Sequence, residues 1–248
     1  MCGNDSVDLN STSGSSVVLD RMEQKGYAMR IREVAVSTTD LDAAADFYRN
    51  VPAFPVTAEP DLVTVEVGFS RLVLRRGERF EGVHHLAFGI SPDDFEPART
   101  WLRGRVELLE VDGSDAIDGP PGWDSRSVYF RGPDGILLEF IARQADAAAP
   151  ASTGDTPRPL SISEVGIGVP DVEQAVGELG KTFGLQPFTP RLASFTPVGD
   201  HEGLVILVDP ERVWFPTRDD RPAHAPVRVR IDAPAGGLDL TAAARIEA

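Results

Sequence analysis

One phrase returns along this chain and limits what it can fold into more than any other feature. Ile31-Arg32-Glu33-Val34-Ala35-Val36 is followed by Asp40-Leu41 and a helical stretch from Asp42 to Tyr48. Ile162-Ser163-Glu164-Val165-Gly166-Ile167 is followed at the same spacing by Asp171-Val172 and a helical stretch from Glu173 to Phe183. Between them, Val83-His84-His85-Leu86-Ala87-Phe88 leads to Pro92-Asp93-Asp94 and the helix-like Phe95 to Leu102. Each copy reads as a short strand, an Asp suited to capping a helix, and an amphipathic helix. The second halves repeat as well. Ser127 to Ile141 reads as two strands around the turn Gly132-Pro133-Asp134-Gly135, and Leu62 to Leu74 and Ala193 to Val208 follow the same outline. The unit is βαβββ, the class is α+β, and Val227-Arg228-Val229-Arg230-Ile231 is left as a fragment of a fourth copy.

A single βαβββ unit leaves a sheet face bare, so units must pair. The expected organisation is a disordered tail over 1–29, units one and two paired into a cup over 30–142, and a linker over 143–159 rich in Ala, Pro, Thr and Asp. A third unit with the terminal strand then fills 160–233, completed by that strand or by a second subunit in a homodimer, and 234–248 is a tail.

Charge narrows the partners. A formal net charge of −15 argues against nucleic acid, whose phosphates need a basic surface. No apolar run is long enough to span a bilayer, so no membrane partner is expected. The residues from Met1 to Met29 lack the basic and apolar regions of a secretory signal. The one cysteine, Cys2, permits no intrachain disulfide, and together these point to a cytoplasmic protein that acts on a small molecule.

Two residues break the local pattern. Glu139 interrupts the apolar run Ile136 to Ile141, where units one and three place Leu74 and Leu207. A carboxylate there must face water, be neutralised or bind a cation. His85 lies in an apolar strand whose alternation puts it on one face with Ala87 and Gly89, and His84 on the other with Leu86, Phe88 and Ile90. Small neighbours beside His85 leave room for a ligand. Arg75, Trp123 and Tyr129 are candidate walls of a substrate pocket, though Arg75 also reads as a solvated strand end and both aromatics as core. The turn-rich loop from Asp112 to Gly122 is placed to cover the cup. His201, His224 and Trp214-Phe215-Pro216 read as surface or sheet-edge residues, and neither a glycine-rich phosphate loop nor a nucleophile elbow is present.

The strand-Asp-helix openings ending in Asp46-Phe47-Tyr48-Arg49, the segment Val83 to Phe88, and Tyr129-Phe130-Arg131-Gly132-Pro133-Asp134-Gly135 running on to Glu139-Phe140-Ile141 together resemble the vicinal oxygen chelate superfamily. That superfamily includes glyoxalase I, extradiol dioxygenases and bleomycin-resistance proteins. The resemblance implies metal ligands on the first and last strands of each paired module, which by position are Glu33 and His85, then Leu74 and Glu139. It therefore implies a divalent ion (Mn²⁺, Fe²⁺, Zn²⁺ or Ni²⁺) on His85, Glu139 and Glu33, with Glu33 as the alternative catalytic base. Leu74 removes a fourth ligand, and Glu33 replaces the first His of the usual iron site. Glu164 matches Glu33 in unit three, but the Leu207 beyond it and the lack of a matching His argue against metal there. The implied activity is lyase, isomerase or oxygenase chemistry on a molecule with adjacent oxygens. The alternative is a metal-free binding protein like the bleomycin-resistance relatives.

Overall fold

The computed structural model describes residues 29–154 and 156–248, so the tail expected over 1–29 lies, except for Met29, outside the described residues. Unit one is built as βαβββ, unit two carries one extra short strand, and unit three is one strand short of the pattern. Unit one comprises β1 (Ile31–Thr38), α1 (Leu41–Asn50), β2 (Val56–Ala58), β3 (Leu62–Val67) and β4 (Ser70–Arg76). Unit two comprises β5 (His85–Ile90), α2 (Phe95–Arg103), the short β6 (Leu108–Leu109) and β7 (Ile117–Asp118), β8 (Ser125–Arg131) and β9 (Leu137–Arg143). Unit three comprises β10 (Pro159–Gly168), α3 (Val172–Phe183), β11 (Phe195–Asp200) and β12 (Gly203–Val208).

The helix starts follow from their caps. The Asp40 carboxylate accepts the Ala43 N–H at 3.0 Å, and Asp171 accepts that of Gln174 at 2.9 Å, each satisfying a donor that the first turn leaves open. Alpha3 stops where Gly184 takes φ 73°, the left-handed conformation suited to a residue without Cβ. Alpha2 instead follows a 3-10 turn over Pro92–Asp94 and has no side-chain cap.

The units pair differently from the expectation. Unit two pairs with unit three, through antiparallel β5 and β10, in an eight-stranded sheet whose path runs β11-β12-β10-β5-β9-β8-β6 with β7 on β8. Unit one pairs with the end of the chain, β1 lying antiparallel to β13 (Val227–Ile231) in a seven-stranded sheet ordered β14-β15-β13-β1-β4-β3-β2. The stretch 234–248 is therefore not a tail. It supplies β14 (Gly237–Asp239) and β15 (Ala244–Glu247), with Ala244 and Ile246 buried. Beta13, β15 and β14 repeat the strand pattern of the other units without a helix. The physical reason for the different pairing is that every unit leaves the same edge of its first strand open, and hydrogen bonding alone does not choose between equivalent edges.

The two sheets turn one face each, with α1, α2 and α3, into a shared core containing Val34, Val36, Leu86, Phe88, Phe140, Val165, Leu207, Val229 and Ile246. The other face of the eight-stranded sheet holds a second apolar cluster, including Ala87, Trp123, Ile141, Ile206 and Trp214. That face forms the cup.

Candidate metal centre

Strand register gathers the polar groups of the cup. Ala87 on β5 stands between Glu139 on β9, its parallel neighbour, and Glu164 on β10, its antiparallel neighbour. His85 is two residues back on β5, hence on the same face, opposite Gly166 of β10. The small Ala87 leaves the space between the carboxylates open, and one donor atom from each of His85, Glu139 and Glu164 lies within 4.8 Å of the others. All three residues are buried, Glu139 at 2% and Glu164 at 4% exposure.

The protonation pattern suits a cation. His85 Nδ1 is 3.3 Å from the Leu137 carbonyl oxygen, which only accepts, so Nδ1 carries the proton and Nε2 keeps its lone pair. That Nε2 lies 3.6 Å from Glu139 Oε2. Burial pulls His85 down to about 4, slightly opposed by the Leu137 carbonyl, so the contact is not an ion pair at neutral pH. Burial and then the charge of Glu164 push Glu139 up to about 8, against stabilisation by Ser127, Arg143 and Tyr129. Glu164 is raised by burial and held back by Arg143, whose Nη2 donates to Glu164 Oε1. Tyr129 is driven well above its usual value by burial and by the charges of Glu139 and Glu164, which keeps its phenol protonated. A lone pair facing a carboxylate is repulsive unless a proton or a metal ion lies between them. One imidazole nitrogen and two carboxylates match Mn²⁺, Fe²⁺, Zn²⁺ or Ni²⁺ in donor type.

The cluster forms the floor of a cavity of about 400 Å³ lined by Trp123, Tyr129, Ile206, Trp214, Phe215 and Arg212. The Ile117 to Pro120 segment of the turn-rich loop also lines it, as its sequence position suggested. Trp214 is fixed by an Nε1–H bond to the Val83 carbonyl at 3.2 Å, and its ring centre lies 5.2 Å from that of His85.

Of the residues singled out in the sequence, His85, Glu139, Trp123 and Tyr129 meet in this cavity. Glu33 does not. It lies on the seven-stranded sheet, paired with Arg71 at 2.9 Å and opposite Arg230, so it is not brought to His85 as third ligand or base. Arg75 is exposed on the same sheet, level with Ser37. Glu164, expected to be silent, takes the third place. Leu207 faces the shared core and so does not bear on the site, whereas the register makes Ile206 the counterpart of Glu139: Ala87 pairs with Glu139, and Gly166 pairs with Ile206. Val73, level with Ala35, holds that position in unit one instead of Leu74. A slip of one residue reverses the face of a strand. Trp214, read as an edge cover, and Arg143 also escaped the sequence pattern, since neither breaks a local rule.

No family model matches the sequence, and no curated protein matches it. Solved structures show the fold. A Bacillus subtilis protein provisionally named a dioxygenase superimposes with a TM-score of 0.57 at 14% identity, over 83% of this chain and 71% of that one. Glyoxalase I from Zea mays superimposes with a TM-score of 0.52 at 16% identity, over 83% of this chain and 75% of its own. The fold is thus that of the vicinal oxygen chelate proteins.

Proposed function

We propose that the protein is a divalent-metal-dependent enzyme acting on a small molecule with two adjacent oxygens, with His85, Glu139 and Glu164 as the protein ligands. The observation that carries this reading is the convergence of three buried donors on the floor of an aromatic-walled cavity, with apolar Ile206 in the fourth position. Three protein ligands leave coordination positions for substrate. A bound ion would supply Lewis-acid polarisation of a chelated oxygen pair.

The chain's own residues set the conditions for that chemistry. The Leu137 carbonyl fixes the His85 tautomer, so Nε2 is available as a donor without rearrangement. Tyr129 keeps its phenol proton and offers a hydrogen bond beside Glu139, where negative charge on a substrate oxygen would need a donor. Trp123 and Trp214, both buried, give the cavity apolar walls, and a lower local polarity strengthens these interactions. The fold relatives are named as a dioxygenase and as glyoxalase I, and one fold serves both names, so the fold does not choose the reaction.

A second reading, a metal-free binding protein, has one observation in its favour. Arg143 already gives Glu164 a counter-charge, and burial can hold Glu139 protonated. Metal content decides between them, measured by plasma mass spectrometry on protein purified without chelator or nickel resin. Near-stoichiometric Mn, Fe, Zn or Ni that disappears in Glu139→Gln supports the enzyme. Metal-free protein that also refuses added divalent ions overturns it in favour of the binding protein.

A further inference from the structure

Arg143 is the last residue of β9, four positions beyond Glu139 and on the same face of the strand. It is 3% exposed, an unusual place for a guanidinium. One of its nitrogens, Nη2, is committed to Glu164 Oε1. The other, Nη1, is buried and has no hydrogen-bond partner. Its guanidinium carbon lies 5.6 Å from the centre of the Trp123 ring, which forms part of the cavity wall. A buried ion pair contributes little to stability when set against apolar residues of the same shape, so stability alone is a weak reason for placing an arginine here.

We infer that Arg143 is a positioning residue that occupies one oxygen of Glu164, leaves the other for the metal, and sets the charge of the loaded centre so that it selects a singly charged, two-oxygen ligand. This rests on the proposed metal centre and adds the charge class of the substrate. The buried cluster contains the two carboxylates Glu139 and Glu164, the single cation Arg143, and His85, whose ring ligates a metal only in its uncharged form. With both carboxylates ionised, it carries one net negative charge. A divalent ion brings it to one net positive charge, which a monoanion neutralises and a dianion overshoots. Without Arg143 the loaded cluster would be neutral, and nothing in it would favour an anion. The other two charged residues that line the cavity, Arg212 and Asp118, are of opposite sign and lie outside the buried cluster. In a site of low dielectric, one full charge is enough to order ligands by charge.

The test uses the full chain, Mn²⁺ as the metal, acetohydroxamate as the singly charged chelator once bound, and oxalate as the dianion. Wild-type protein should take up about one Mn²⁺ and hold acetohydroxamate about tenfold more tightly than oxalate. Arg143→Met should lower the melting temperature of the metal-free protein, since Glu164 loses its counter-charge. The same variant should bind Mn²⁺ about tenfold more tightly and lose its preference for acetohydroxamate. Arg143→Lys, which keeps the charge and is the fallback if the Met variant does not fold, should retain the preference. A structural role alone would move the melting temperature but not the chelator order. An Mn²⁺-loaded wild type with no preference, or a folded Met variant that keeps it, overturns the inference and leaves the metal centre standing. If Lys is the only variant to fold, its loss of the preference does the same. A wild type that binds no Mn²⁺ overturns both.

Discussion

Gly166 stands directly opposite His85 on antiparallel β10 and β5, and its missing side chain is what admits the Trp214 ring. A Cβ built at residue 166 would lie 2.5 Å from the tip of that indole and 3.1 Å from the His85 Cβ. Trp214 cannot withdraw freely, because its N–H is bonded to the Val83 carbonyl. Gly166→Ala should therefore cost about 1–3 kcal/mol and weaken metal uptake. Chemical denaturation and a metal titration together check this; an Ala variant matching wild type in both would show that the indole is not held.

Glu164 and Glu33 provide the sharpest comparison, because they hold the same place in two copies of one repeat. Glu164→Gln leaves Arg143 buried against a neutral amide, so stability should fall by about 3–5 kcal/mol and metal binding should be lost. Glu33→Gln breaks a partly exposed pair with Arg71, worth at most about 1 kcal/mol, and should leave metal stoichiometry at its wild-type value. Metal loss in the Glu33 variant would return that residue to the site.

Asp115 ties the loop that covers the cavity to α2. Its carboxylate accepts from Arg99 Nε at 2.8 Å and from Arg103 Nε and Nη2 at 2.6 and 2.7 Å. The hydrogen bonds from Arg103, then those from Arg99, hold its pKa below the usual carboxylate value despite burial. The folded state thus binds the proton less readily than the unfolded chain. The stabilisation is present above the unfolded pKa and is lost as pH falls through the folded one. Asp115→Asn should cost about 1–2 kcal/mol at pH 7, allowing for the half-exposed Arg103. The gap between variant and wild type should close below about pH 4. Paired melting curves at several pH values test it, and a gap that widens in acid would contradict the assignment.

Ending the chain at residue 233 removes β14 and β15, including the fully buried Ile246, and strips the hydrogen-bond ladder from one edge of β13. The loss should be at least about 3 kcal/mol, read by urea unfolding. A truncated protein as stable as the full chain would restore the view of this segment as a tail.

The repeat was legible because strand and helix periodicities, capping Asp residues and turn residues are local signals. His85 and Glu139 were legible for the same reason, as polar residues that break apolar strands. Glu164 was hidden because its role depends on which unit sits beside β5, and that depends on edge pairing that no local pattern encodes. The Leu207 that argued against it is one residue out of register with the position that matters, a shift invisible until the β10–β12 pairing is known. Trp214 and Arg143 obey every local rule where they stand. Only the closed cup gives them neighbours.

The nested pairing, with units two and three inside and unit one joined to the last strands, also imposes an order on biosynthesis. Beta1 is made before any strand of the cup, yet its partner β13 begins at Val227, after all of them. A nascent chain that has passed Val208 already holds every strand of the cup, while the open edge of β1 must wait until β13 has been made. That edge is an invitation to pair with a neighbouring chain for as long as it stays bare. The inner half of the molecule can mature on its own schedule; the outer half is hostage to a strand made after it.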